Sequence, residues 1–289
     1  MNKEADMVVH KHRGRRGMAA VLGSGVLALS VLGGCASVHT TQGGAVGVDR
    51  TQYMSSLVSS QDLQKEADQQ YATILAQAKA KNLLDVDAQQ VARVRAIAQR
   101  LIAQVGVFRP DAASWGWEVH VLSSQEINAW CMPGGKMAVY TGLLVQIKPT
   151  DDELAAVMGH EISHALREHA RERVSQQMVT SVGLSVLSVV TGSTAVSDLG
   201  GKLSDVMFTL PNSRTHEAEA DRMGVELAAR AGYDPSAAVS LWRKMAQVSQ
   251  GQAQPEILST HPSAESRIAE LQAASQQVMP LYQQAKGAK

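Results

Sequence analysis

Two histidines four residues apart, in the run HEISH that begins at His160, constrain this chain more than any other feature. The run lies inside a predicted helix, and Thr150 and Glu153 at its start have the spacing of a capping box. Side chains at i and i+4 share one helical face, so the imidazoles of His160 and His164 can bind one metal ion. Glu161 lies about 100° further round the helix, where it can take a proton from a metal-bound water. A pair of exposed histidines on a charged helix is the alternative interpretation.

A metal held by two imidazoles needs a third ligand, and Zn²⁺ suits two histidines, one carboxylate and an open position for water. Metzincins require Gly and His three and six residues after the second histidine, where this chain has Arg167 and Ala170. Residues 173–197 contain no Asp or Glu, which excludes a carboxylate ligand about twenty residues further on. The third ligand must therefore come from later in the chain.

A later predicted helix, residues 215–231, carries three acids in its first two turns. Glu217 and Asp221 are i and i+4 and share a face, whereas Glu219 points elsewhere. One of the two acids on that face can bind the metal while the other orients a histidine. An ordinary acidic, solvated helix face is the alternative. Among the other histidines, none of His120, His169 and His216 is expected to bind metal.

Three separated motifs make the chain resemble the M48 (Ste24/HtpX-type) metallopeptidases over roughly residues 65–275. They are NAWCMPGG from Asn128, HEISH from His160, and SRTHEAEAD from Ser213. The resemblance implies an α+β, mainly helical, zincin-like (gluzincin) domain with a small sheet beside the HEISH helix. It also implies one zinc ion per chain and zinc-assisted hydrolysis of peptide bonds.

The same resemblance assigns roles to residues. His160, His164 and Glu217 would hold zinc, Asp221 would orient a histidine, and Glu161 would be the base. His261, in the run STHPS, would lie near the active site and either stabilise the oxyanion or bind zinc as a fourth, inhibitory ligand. A helix-capping loop histidine is the alternative for His261.

The segment Asn128, Ala129, Trp130 and Cys131 is expected to form an edge strand that binds an extended peptide substrate. Pairing through the backbone tolerates many sequences, which suits a protease of unfolded chains. Cys131 could instead be a nucleophile, but no histidine lies near it in sequence. A small buried side chain is therefore the favoured interpretation of Cys131.

Periodicity predicts the remaining elements. Alternation over 115–122 and the run 136–140 predict two strands of a small antiparallel sheet. Apolar spacings of three and four predict helices between Ser60 and Val105, and the HEISH helix is expected to continue to about Gln177. The uncharged segment 178–197 is expected to cover the cleft, with a membrane span or reversible membrane contact as alternatives.

Residues 1–34 have the basic stretch, short apolar run and terminal Gly-Gly pair of a secretory signal. Because Cys35 follows directly, the segment resembles a bacterial lipoprotein signal. That resemblance implies cleavage before Cys35, lipid on Cys35, and the periplasmic face of the outer membrane, since Ala36 rather than Asp follows. A transmembrane anchor is the alternative, although the run is short and rich in glycine. Residues 35–59 would then be the lipidated cysteine and a flexible tether, and 60–289 the peptidase domain.

Composition excludes other classes of function. Lys+Arg and Asp+Glu are both 27 and aromatic residues are 4% of the chain, so neither a basic field nor a stacking surface for nucleic acid is expected. The expected substrates are misfolded or unassembled envelope proteins, and the envelope assembly machinery is a candidate partner. A chaperone-like binding lipoprotein and a structural lipoprotein with a metal-stabilised core are the alternatives.

Overall fold

The computed structural model describes residues 35–189, 199–248, 256–261 and 265–287. Within these ranges the helices are α1 (Ser60–Ala80), α2 (Ala88–Ile102), α3 (Asp151–Leu166), α4 (His169–Val189), α5 (Leu199–Phe208), α6 (Arg214–Arg230), α7 (Ala237–Val248), α8 (Glu256–Thr260) and α9 (Glu265–Gly287). The strands are β1 (Cys35–Val38), β2 (Gln52–Ser55), β3 (Glu118–Leu122), β4 (Ala129–Met132) and β5 (Lys136–Tyr140). The mainly helical α+β prediction is confirmed. The predicted signal, residues 1–34, lies outside the described residues.

The sheet beside α3 has the order β3-β5-β4, with β4 at one edge. β4 and β5 form an antiparallel hairpin through a turn in which Gly134 and Gly135 adopt positive φ. β3 and β5 are parallel, so the predicted antiparallel pairing of these two strands was wrong. After β3 the chain first forms β4 and then turns back through the hairpin into β5. β3 lies on the other side of β5 from β4 and runs in the same direction as β5.

Helix α3 begins at the predicted capping box, in which Glu153 N donates to Thr150 Oγ1 and Thr150 N donates to Glu153 Oε2. It ends at Leu166, so the prediction of one helix to Gln177 was wrong. Glu168 has a φ of 51°, and its left-handed backbone separates α3 from α4. The chain therefore changes direction directly after the HEISH run.

Every residue of α3 from Glu153 to Leu166 is buried. A helix buried on all faces belongs to the core, which excludes the alternative of two exposed histidines. α3 and α6 approach each other closely at Gly159 and Gly224, where a Cβ on Gly224 would lie 2.7 Å from His160 N. This crossing brings the HEISH face against the acidic face of α6.

Residues 36–50 pack on the domain, so the prediction of a flexible tether was wrong for this segment. Val46 and Val48 lie in the hydrophobic core, and Gln42 N donates to Phe108 O. β1 and β2 form a second, two-stranded sheet. Because this segment has no clear period in sequence, the burial of Val46 and Val48 was not predicted.

The structure describes only part of the uncharged segment 178–197, which is expected to cover the cleft. α4 extends to Val189, whereas residues 190–198 lie outside the described residues. A cover over the cleft therefore stays a prediction. Among the described residues, no helix combines the length and the apolar character that a membrane span needs.

Candidate active site

Four buried side chains from three parts of the chain bring their ligand atoms within 4.8 Å of one another: His160, His164, Glu217 and His261. The Nε2 atoms of His160 and His164 are 3.0 Å apart. Glu217 Oε2 lies 3.4 Å from His160 Nε2, and Glu217 Oε1 lies 3.3 Å from His164 Nε2. The sequence placed the first three of these residues together as a metal site, and the structure brings them together.

The donor set fits a metal ion. Two Nε2 atoms this close can form one hydrogen bond with each other, whereas a single cation can accept the lone pairs of both rings. Imidazoles with one carboxylate are the ligands that Zn²⁺ takes in catalytic sites. Burial would raise the pKa of Glu217, but the neighbouring His261, His160 and His164 outweigh it and hold that pKa well below its ordinary value. Glu217 is therefore ionised, as a metal ligand must be.

His261 follows α8 directly and lies in the cluster. Its Nδ1 is 2.9 Å from Glu217 Oε1 and 3.2 Å from His160 Nε2. Its Nε2 is 3.6 Å from Glu161 Oε1. His261 can thus reach either a metal or a group bound beside Glu161, which matches both roles that the resemblance implied.

Glu161 is buried beside the cluster, and its Oε1 has no hydrogen-bond partner within the described chain. Burial raises the pKa of Glu161, and the nearby His261 and His160 offset part of that rise. A carboxylate with an unpaired oxygen and a raised pKa is suited to accept a proton and return it.

Asp221 lies behind His160, and its Oδ1 is 2.9 Å from His160 Nδ1. Arg267 on α9 donates to both oxygens of Asp221, at 2.7 and 2.8 Å, and its Nη1 lies 2.9 Å from Glu217 Oε2. The sequence analysis anticipated an acid that orients a histidine, but it missed Arg267. No signal marked this arginine, because it lies about fifty residues after Glu217 in an ordinary amphipathic helix.

A second buried group lies behind His164. His169 Nδ1 is 2.8 Å from His164 Nδ1, and His169 Nε2 is 3.0 Å from Glu219 Oε2. Burial lowers the pKa of His169 to about 3, so the ring is neutral. Glu219 does point away from the metal cluster, as expected, yet it is buried and reaches His164 through His169. His216 also lies off the cluster, with its Nε2 3.2 Å from Glu172 Oε2.

A pocket opens beside Glu161 and His164. Asn128, Ala129, Trp130 and Cys131 line it, and in the part of the chain that the structure describes no strand pairs with the outer edge of β4. The predicted edge strand therefore exists and faces the cluster; its role in substrate binding stays a prediction. Burial raises the pKa of the Cys131 thiol, which disfavours a thiolate nucleophile.

Residues 88–275 match the family model described as Peptidase family M48. A mitochondrial metalloendopeptidase OMA1 from Arabidopsis thaliana is 39% identical over 52% of this chain and 30% of its own length. The OMA1 metalloendopeptidase of Bos taurus is 36% identical over 70% of this chain and 40% of its own length. The beta-barrel assembly-enhancing protease of Escherichia coli is 32% identical over 57% of this chain and 35% of its own length. The chain thus spans less than half the length of each of these three relatives.

Proposed function

We propose that this chain, which belongs to peptidase family M48, is a zinc-dependent metalloendopeptidase that cleaves misfolded or unassembled proteins of the cell envelope. One observation carries the enzymatic part of the proposal. Four buried ligand atoms converge within 4.8 Å of one another, beside a buried carboxylate oxygen that has no hydrogen-bond partner in the described chain.

The residues divide the chemistry among them. His160, His164 and Glu217 would hold zinc, which when bound polarises the scissile carbonyl and lowers the pKa of water toward ~7. Glu161 takes the proton of the attacking water and later delivers it to the nitrogen of the leaving amine. His261, whose Nε2 lies 3.6 Å from Glu161 Oε1, either donates to the developing oxyanion or occupies the open ligand position.

The edge strand favours polypeptides over small substrates. An extended chain can add to the outer edge of β4 and lie against Glu161 with its backbone paired. Such pairing requires a substrate that is locally unfolded but imposes little sequence preference. Unfolded or unassembled polypeptides are therefore the substrate class that this geometry favours.

Two observations support the envelope as the site of action. The lipoprotein-like signal before Cys35 would anchor the domain at the periplasmic face of the outer membrane. One relative is named for enhancing β-barrel assembly. On this basis the substrates include barrel proteins that fail to assemble, and the assembly machinery is a candidate partner.

The test compares Glu161→Gln with Glu66→Gln, a matched change on α1 at a residue that does not line the pocket. Zinc content and cleavage of unfolded casein are measured for wild type and both variants. We expect one zinc per chain in all three proteins and a loss of cleavage of roughly 10²–10⁴-fold in Glu161→Gln alone. Equal cleavage by Glu161→Gln would refute its role as base. A wild type that suppresses casein aggregation without cutting it would favour the chaperone-like alternative.

The envelope role is tested separately in cells. Envelope proteomes of strains carrying wild type or Glu161→Gln are compared, and proteins that co-purify with the inactive variant are identified. Accumulation of unassembled outer-membrane proteins in the Glu161→Gln strain is expected. Accumulation confined to cytoplasmic proteins would exclude the envelope role while leaving the peptidase activity intact.

A further inference from the structure

The Nδ1 atoms of the two histidines of the HEISH run contact different kinds of side chain. His160 Nδ1 faces the carboxylate of Asp221, which is a common way to orient a metal-binding imidazole. His164 Nδ1 faces another imidazole, the Nδ1 of His169, at 2.8 Å, and both rings are buried. We propose that His169 is a positioning residue that acts through His164: it accepts the Nδ1 proton of His164 and thereby directs the Nε2 lone pair of His164 at the metal. This inference rests on the proposed function.

The contact between the two rings permits only one consistent set of protons. Two Nδ1 atoms 2.8 Å apart form a hydrogen bond only when one carries a proton and the other does not. A neutral His164 that offers Nε2 to a metal must carry its proton on Nδ1, so it donates to His169. His169 then carries its own proton on Nε2 and donates it to Glu219 Oε2 at 3.0 Å.

Glu219 fixes the direction of this chain of hydrogen bonds because two arginines are paired with its carboxylate. Arg50 Nε lies 2.7 Å from Glu219 Oε1, and Arg167 Nη2 lies 3.1 Å from the same oxygen. An ionised carboxylate can only accept, so His169 Nε2 must be the donor.

The alternative is that His169 only fills space. Its ring stacks on His216 with centroids 4.3 Å apart, and its side chain is 1% exposed. Removing it would then destabilise the protein through lost packing alone. Two substitutions of similar size separate the possibilities, because both lose the contact with Glu219 but only one keeps an acceptor. His169→Asn places an amide oxygen where Nδ1 was, whereas His169→Leu places a methyl group there.

The experiment measures metal affinity rather than activity. Apo protein is titrated with zinc in competition with a chromophoric chelator, and the Tm of each apo protein is recorded beside it. We expect His169→Leu to weaken zinc binding about 10–100-fold and His169→Asn by no more than about 3-fold, with similar losses of Tm in both. Equal zinc affinity in the two variants, whether weakened or unchanged, would overturn the proposal. A wild type that binds no zinc would instead refute the proposed function.

A measurement on wild type covers the case in which a variant fails to fold. In zinc-loaded protein labelled with ¹⁵N in its histidines, long-range ¹H–¹⁵N spectra report which ring nitrogen carries the proton. We expect a protonated Nδ1 on His164 and a bare Nδ1 on His169. A protonated Nδ1 on His169 in this spectrum would overturn the assignment.

Discussion

Replacing Gly224 by alanine should weaken zinc binding, although Gly224 is not a metal ligand. Gly224 lies on the face of α6 that also carries Glu217 and Asp221, since the three positions are separated by four and three residues. Its backbone lies against Gly159 on α3, directly before His160. The crossing of the two helices at these glycines therefore sets the separation between the histidines and Glu217.

The size of the effect follows from the distances. A Cβ on Gly224 would lie 2.7 Å from His160 N and 2.9 Å from Gly159 C, whereas ordinary contacts begin at 3.4 Å. The atoms in the way belong to the backbone, so no side-chain rotation relieves the overlap. The helices must separate by roughly 0.5 Å or more, and such overpacking costs about 1–3 kcal/mol of unfolding free energy. Metal–ligand distances tolerate only about 0.2 Å, so zinc binding should suffer together with stability.

The assay combines chemical denaturation with zinc competition for Gly224→Ala and for a control, Gly106→Ala. A Cβ on Gly106 would meet no atom within 4 Å, and its φ is not positive. We expect Gly224→Ala to lower the unfolding free energy by about 1–3 kcal/mol and to weaken zinc binding at least 10-fold. Gly106→Ala should stay within about 0.5 kcal/mol of wild type. Wild-type zinc affinity in Gly224→Ala would show that the crossing does not set the ligand geometry.

Three further predictions concern individual residues. Glu217→Ala should remove zinc and proteolysis together, as metal analysis of the purified protein would show; retained zinc would refute its role as a ligand. His261→Ala should raise casein cleavage if this imidazole blocks the open zinc position, and should lower kcat by roughly 10²–10³-fold if it stabilises the oxyanion; unchanged kinetics would remove it from the site. Cys35→Ser should yield an unprocessed or soluble protein on membrane fractionation, whereas Cys131→Ser should fractionate like wild type. A processed, membrane-bound Cys35→Ser protein would contradict the lipoprotein assignment.

Local spacing predicted the parts of this site that lie within one helix or one strand. The i, i+4 relations of His160 with His164 and of Glu217 with Asp221 survive in the structure because helical geometry determines them. The capping box at Thr150 is equally local. The edge strand at 128–131 was expected from its motif and lies at the edge of the sheet.

The errors concern relations between distant residues. The left-handed turn at Glu168 has no glycine to signal it, and contacts with Arg109 and Arg171 hold that side chain. β3 pairs in parallel with β5 because β4 occupies the other side of β5. The sequence of either strand alone does not determine this arrangement. His169 was expected only not to bind metal, and the sequence did not indicate its contact with His164. The turn at Glu168 places the ring of His169 against the ring of His164.

The packing of residues 36–50 limits how far the cleft can lie from a lipid on Cys35. Thr40 Oγ1 lies 2.6 Å from Gln52 Oε1, and Arg50 contacts the Glu219 carboxylate that supports His169. Because β1 also pairs with β2, the chain is fixed to the domain from Ala36 onward. If Cys35 carries lipid, the lipid is attached at the first residue of β1. An unpacked tether through residue 50 would reach about 50 Å. The cleft would thus stay close to the membrane surface, and its substrates would be chains that present an unfolded segment there.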